Sequence, residues 1–330
     1  MNQSEPSNER AGNPRKLSTS RKLLFAALFG IGFFVVVEGL LRVAGFKVAE
    51  NVETMEFTFP IDDYNQGAPE PFLERDPELF WKPRAGVAGH NSLGLYGPEF
   101  SPEKPDEVLR ILCLGDSCTH FGPRSYPHIL QERLDQMVAG PSDKERLEVI
   151  NAGVIGYTSY QGRKVMETRA AKWEPDIVTV YFGWNDHWLA RGLTDREQTA
   201  AQVSGLNSLL GDLRSVQFAR LMTGGLSPRD TTRVRVPIDD YRENLLAIHQ
   251  QTQSIGSECW FMTAPHAMDL SIPAYLVTSG EVADPSDLIP MHQRYNAVVR
   301  DVAKETGSTL IDLEMQFDQM QKAALFLDDH

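Results

Sequence analysis

The feature that most limits how this chain can fold is an alternation. Short apolar runs at Val108–Leu114, Leu147–Ala152, Ile177–Phe182, Glu258–Thr263 and Thr309–Leu313 are separated by stretches with helical spacing. That spacing is clear at His128–Met137, where Ile129, Leu130, Leu134 and Met137 recur on one face. Gln161–Trp173 and residues 291–306 predict two more helices. Ile177–Phe182 is apolar and β-branched enough to be buried on both faces. Strands alternating with helices imply an α/β fold with a parallel sheet and crossover helices.

One stretch breaks the rhythm. Residues 189–241 are polar, with Gly205–Leu210 and Val216–Met222 as short helices and Arg229–Arg235 as a basic turn. They read as an insertion over the sheet edge, either a lid or an ordinary variable loop. Upstream, residues 47–75 carry Pro, Glu, Asp and Asn without a sustained period and read as a linker. Phe80-Trp81-Lys82-Pro83 and Asn91–Gly97 suit short strands and turns ahead of the core.

The N-terminus has a different character. Leu23–Val37 holds no charge or strong polar group, and continuing to Leu41 adds only Glu38. A helix of that extent reaches about 28 Å, close to the hydrocarbon thickness of a bilayer. No small-x-small cleavage site follows the run, so residues 23–46 are expected to form an uncleaved signal-anchor rather than a removed signal peptide. Glu38, off-centre, suits an interfacial residue. Arg10, Arg15, Lys16, Arg21 and Lys22 precede the run, against Arg42 and Lys47 after it. That bias orients residues 1–22 to the cytoplasm and the body to the extracytoplasmic side, periplasmic or at the cell surface.

Charge sharpens the division. The 330 residues carry a formal −13, of which the tail accounts for +3 and the rest for −16. An acidic body of this kind disfavours nucleic acid as a partner. Only three cysteines are present, too few for a disulfide-rich scaffold. Cys113 and Cys259 fall on apolar runs and Cys118 suits a small packed residue; one disulfide is possible, with the third thiol free. The histidines show no metal-ligand spacing and the chain no phosphate loop, so no metal and no cofactor are expected.

Three polar clusters each follow an apolar run, and in an open parallel sheet those strand ends share one crevice. Gly115-Asp116-Ser117-Cys118-Thr119 exposes a serine hydroxyl on a tight turn, its N–H near a helix start; the same turn could be a plain helix cap. Asn151-Ala152-Gly153-Val154-Ile155-Gly156-Tyr157-Thr158 offers a glycine whose backbone can approach a ligand, or an ordinary turn with positive φ. Gly183-Trp184-Asn185-Asp186-His187 offers an amide donor that does not titrate, or a turn residue.

Together the clusters resemble the first three blocks of the SGNH (GDSL-type) hydrolase family, through Ser117, Gly156 and Asn185, over about residue 80 to the end. The resemblance implies a flavodoxin-like three-layer α/β/α sandwich with a parallel sheet, here preceded by one transmembrane helix. It also implies a serine nucleophile and an oxyanion hole made by the Ser117 N–H, the Gly156 N–H and the Asn185 amide. Gly153 is the alternative glycine. Asp116 and Asp186 are expected to hold loop geometry, while His120 and His187 match no family role. The family's base belongs to a late Asp-x-x-His block. Here the chain reads Phe326-Leu327-Asp328-Asp329-His330, and the position three before His330 is Leu327. His330 as base and Asp329 as acid are the candidates, in a chain that looks cut inside this block.

The expected organisation is a basic tail at 1–22, an anchor at 23–46, a linker at 47–79 and a hydrolase-like domain at 80–330. The expected activity is serine esterase or lipase-like hydrolysis through an acyl-enzyme, on an ester-containing small molecule or acylated carbohydrate. O-acyl transfer to exported polysaccharide and a non-catalytic binding module are the alternatives.

Overall fold

The computed structural model describes residues 18–46, 70–120, 124–137, 146–190, 193–203, 213–222, 233–272, 282 and 284–326. The apolar N-terminal run forms helix α1 (Thr19–Val43), long and apolar enough to cross a membrane and with none of its apolar window buried by the body. It stops short of the expected residue 46 for a local reason. Gly45 adopts φ 65° and the Phe46 N–H reaches back to the Leu41 carbonyl at 2.8 Å, a Schellman closure. Residues 47–69 of the expected linker lie outside the described residues. The end of that linker is ordered: β1 (Leu73–Asp76) pairs antiparallel with β2 (Phe80–Pro83).

The core is a five-stranded parallel sheet of β3 (Val108–Gly115), β4 (Arg146–Gly153), β5 (Ile177–Tyr181), β6 (Glu258–Met262) and β7 (Thr309–Ile311). The order β4-β3-β5-β6-β7 is the flavodoxin-like order, with its switch point beside β3. All five expected strands are present. One sheet face, with Leu112, Leu114, Val178, Val180, Cys259 and Phe261, packs under α4 (Ser159–Thr168), α7 (Ile238–Ser254) and α8 (Leu288–Thr306). On the other face lies α3 (Tyr126–Met137), whose Tyr126 hydroxyl meets Thr179 Oγ1 at 2.9 Å. This gives the expected three layers. The expected helix at Gln161–Trp173 is divided: α4 ends at Thr168 and a 3-10 turn, Ala170–Trp173, follows. The expected strand at Thr309–Leu313 is shorter, because Asp312 caps α9 (Leu313–Asp318), its carboxylate accepting the Met315 N–H.

The inserted segment is placed differently from expectation. It leaves the C-terminal end of β5, the middle strand, and not a sheet edge. Its neck is a narrow antiparallel ribbon: the Val236 N–H bonds the Asp186 carbonyl, Arg235 N–H that of Trp188, and Ala190 N–H that of Arg233. Arg233–Arg235, the described part of the basic turn expected at Arg229–Arg235, therefore belongs to paired structure; residues 229–232 lie outside the described residues. Two helices follow the ribbon's first strand, α5 (Asp195–Val203) and α6 (Arg214–Met222), the second covering the expected Val216–Met222. Gly205–Leu210 lies outside the described residues. All three cysteines are free. The one disulfide held possible is not formed, and β5 lies between the strands that carry Cys113 and Cys259.

Candidate active site

Ser117 stands two residues past the end of β3, at the start of a single helical turn, α2 (Ser117–His120). Asp116 holds that turn: its buried carboxylate accepts the Cys118 N–H at 2.9 Å, and its carbonyl accepts the Thr119 and His120 N–H groups. The turn is pressed onto its neighbours. A Cβ on Gly153 would sit 2.6 Å from Thr119 Cβ and 2.7 Å from the His120 nitrogen, so only glycine lets β4 end there. Half-buried, Ser117 keeps a route to solvent, and its N–H has no partner among the described residues.

Gly156 lies in the turn after β4, on the other side of β3's end, with φ 77°. The carbonyls of residues 155–157 are all engaged by side chains. Trp81 Nε1 donates to Ile155 O at 3.0 Å, Arg235 Nη1 to Gly156 O at 2.8 Å, and Asn185 Nδ2 to Tyr157 O at 3.0 Å. In a trans peptide the carbonyl and the following N–H point in opposite directions. The bond at Ile155 O thus turns the Gly156 N–H away from Trp81, and nothing among the described residues accepts from it. The alternative glycine is not so disposed, because the Gly153 N–H is taken by Asn151 Oδ1 at 3.0 Å.

Asn185 follows β5 and is joined to the Gly156 turn by its bond to Tyr157 O. A carboxamide carries two N–H donors, so one remains. The strand order β4-β3-β5 puts Ser117 between Gly156 and Asn185. The structure thus brings these three predicted residues to one end of the sheet. Asp329 and His330 lie outside the described residues.

Two histidines near the site, His120 and His187, are held neutral by burial. His120 bonds Gly153 O through Nδ1 at 2.9 Å, and burial pushes its pKa down to about 4. His292 Nε2 lies 2.7 Å from Ala264 O, and its Nδ1 lies 3.0 Å from His187 Nε2. Burial, then the proximity of His292, holds the fully buried His187 well below the usual imidazole range. Neither ring is disposed to take a serine proton. Asp186 accepts from Ser159 N–H and Oγ at 3.0 and 2.5 Å, tying the Asn185 loop to the start of α4. Burial drives this carboxyl up to about 7.

One constellation escaped the sequence reading. Arg235, 2% exposed, pairs with Asp195, 0% exposed, at 3.2 Å while it holds Gly156 O. Its guanidinium also lies 5.8 Å from the centre of the Trp81 ring. Asp195 Oδ2 further accepts from Thr158 Oγ1 at 2.7 Å. The insertion's neck is thereby fastened to the back of the Gly156 turn.

Residues 113–330 match the model of the GDSL-like lipase/acylhydrolase family. The chain belongs to that family. This hydrolase cleaves ester bonds, as the family does. Solved structures similar to it include a lipase/acylhydrolase from Enterococcus faecalis, 18% identical over 67% of this chain and 84% of that one, with a TM-score of 0.42. An esterase of the SGNH-hydrolase family is 16% identical over 69% and 87%, with a TM-score of 0.37. A catalytic variant of an acetylxylan esterase from Geobacillus stearothermophilus is 18% identical over 67% and 85%, with a TM-score of 0.39. No curated protein matches the chain.

Proposed function

We propose that this ester hydrolase is a serine esterase anchored by α1, its body on the extracytoplasmic side of the membrane and residues 1–22 in the cytoplasm. Ser117 Oγ attacks the ester carbonyl carbon, while a base from the segment holding Asp329 and His330 takes the hydroxyl proton. The carbonyl electron pair moves onto oxygen, where the Ser117 N–H, the Gly156 N–H and the Asn185 amide receive it. Collapse of that intermediate breaks the ester C–O bond, and the alcohol leaves with the proton from the base. Water then attacks the acyl-serine by the same route, releasing the acid and restoring Ser117. The substrate is an ester-containing small molecule or an acylated carbohydrate.

The observation that carries this reading is the bracing of residues 155–157, whose three carbonyls are all engaged by side chains, one of them that of Asn185 itself. Donors fixed before substrate arrives cost little reorganisation as charge develops. Hydrolysis of p-nitrophenyl acetate by the full chain tests it. Ser117→Ala is expected to lose at least about 10³-fold in kcat with an unchanged circular dichroism spectrum. A Ser117→Ala protein that turns over at the parental rate would remove Ser117 from the mechanism.

A further inference from the structure

Glu38 and the inserted helix α6 meet. Ser215, in the first turn of α6, donates both its N–H and its hydroxyl to Glu38 Oε2, at 2.8 and 2.9 Å. The other carboxylate oxygen accepts from Arg42 Nε at 2.7 Å. A second contact lies beyond the end of α1, where Phe46 and Phe218 meet edge to face with ring centres 5.5 Å apart. Glu38, expected to be only an interfacial residue of the anchor, thus caps a helix 177 residues away in the chain.

Depth follows from the apolar run. It ends at Leu41, three residues after Glu38, so the Glu38 carboxylate lies about 5 Å inside that end, where hydrocarbon gives way to headgroups. Arg42 reaches back to it from the polar side. Whatever bonds Glu38 is therefore held at that depth. On α6, Ser215, Phe218 and Met222 lie at i, i+3 and i+7, one stripe of the helix. Glu38 takes the first and Phe46 the second. Met222 continues the stripe, 70% exposed, and Phe218 remains 39% exposed.

We infer that α6 is an interfacial helix: it lies on the bilayer leaflet from which α1 emerges, held by Glu38, with Phe218 and Met222 immersed among the lipids. The partner is the lipid surface itself, continuous with the lipid around α1. This inference rests on the proposed membrane anchoring of α1. It gives the insertion a purpose that a loop lacks, since the same segment is rooted in the ribbon beside Asn185 and Gly156. One end of the insertion grips the site and the other rests on the membrane.

The test uses the full chain in phosphatidylcholine/phosphatidylglycerol vesicles, with a photoreactive residue introduced as Met222→p-benzoylphenylalanine. Val35→p-benzoylphenylalanine in α1 and Glu132→p-benzoylphenylalanine on α3 are the controls. After irradiation, lipid adducts found by mass spectrometry at positions 222 and 35, and absent at 132, support the inference. Adding Glu38→Ala is expected to lower the adduct at 222 by about fivefold, the size of a lost helix cap, and to leave that at 35 unchanged. Adducts at 35 without any at 222 overturn the interfacial helix while the anchor stands. Absence at both positions overturns the anchor and this inference with it. An adduct at 222 unaltered by Glu38→Ala overturns the role given to Glu38.

Discussion

Replacing Arg235 separates what the insertion's neck does for stability from what it does for the site. Arg235 and Asp195 are 2% and 0% exposed, so Arg235→Met takes from a carboxylate in the interior the guanidinium paired with it at 3.2 Å. Breaking a buried pair in this way costs about 3–5 kcal/mol, because the remaining charge keeps its desolvation penalty. For a body of this size that corresponds to a fall in Tm of about 6–20 °C. The double change Arg235→Met with Asp195→Leu removes both charges, and apolar replacement of a buried pair is often neutral or better. Thermal unfolding is therefore expected to show the single variant strongly weakened and the double variant largely restored.

Catalysis is expected not to recover with stability. Neither variant donates to Gly156 O, so the turn loses one of its three braces, the one on the peptide that follows Gly156, and the Gly156 N–H is left with the Trp81 bond to Ile155 O alone. Removing a whole oxyanion donor costs about 10²–10³ in kcat. Loosening one that remains should cost less, about 10–100-fold, in the range of a misplacement near 1 Å. The loss belongs in kcat, with KM moving by less than about threefold, since charge on the carbonyl oxygen develops only in the transition state. The measurements are kcat and KM for p-nitrophenyl acetate well below the Tm of each variant. A restored double variant with parental kcat would show that Arg235 contributes stability alone, and the argument from the braced turn would fail.

Three further outcomes are expected. Asp186 binds its proton more tightly folded than unfolded, its pKa raised from 3.8 to about 7, so the parent loses stability as pH rises from about 4 to 7. Asp186→Asn should flatten that slope and gain on the order of 2–4 kcal/mol at pH 8, read by urea unfolding at several pH values; a parallel pair of curves would refute it. His120 has the opposite sign: with its pKa lowered from 6.5 to about 4, stability is lost as pH falls through that window, by about 3 kcal/mol in all. His120→Asn should remove this acid sensitivity from the same titration. Gly153→Ala forces a Cβ against Thr119 and His120, and is expected to cost about 1–3 kcal/mol in stability. Its esterase rate should fall at least about tenfold as the Ser117 turn is displaced, a result that parental activity would contradict.

What was legible in the sequence shares one property: its signal is local. The β runs could be read from apolar continuity over a few residues, and their alternation with helices dictates a parallel sheet. Ser117, Gly156 and Asn185 lie two, three and four residues beyond strands ending at Gly115, Gly153 and Tyr181, so finding the strands located the residues. Helix α5 escaped because its residues are polar, although Thr194 and Glu197 form a reciprocal cap at its start and that spacing is a readable signal. The Arg235–Asp195 pair and the Glu38–Ser215 bond left no such trace, since they join residues 40 and 177 positions apart and a charged residue in a polar stretch is ordinarily solvated. The Gly156 turn shows where the boundary falls. Its glycine marks a backbone able to take φ 77°, which local sequence announces. The direction in which its N–H points is set by Trp81, 74 residues before the Ile155 carbonyl that it holds, while Arg235, 79 residues after Gly156, holds the next peptide. The glycine proposed as a donor could therefore be picked out locally, but the aim of its N–H is a property of the folded chain alone.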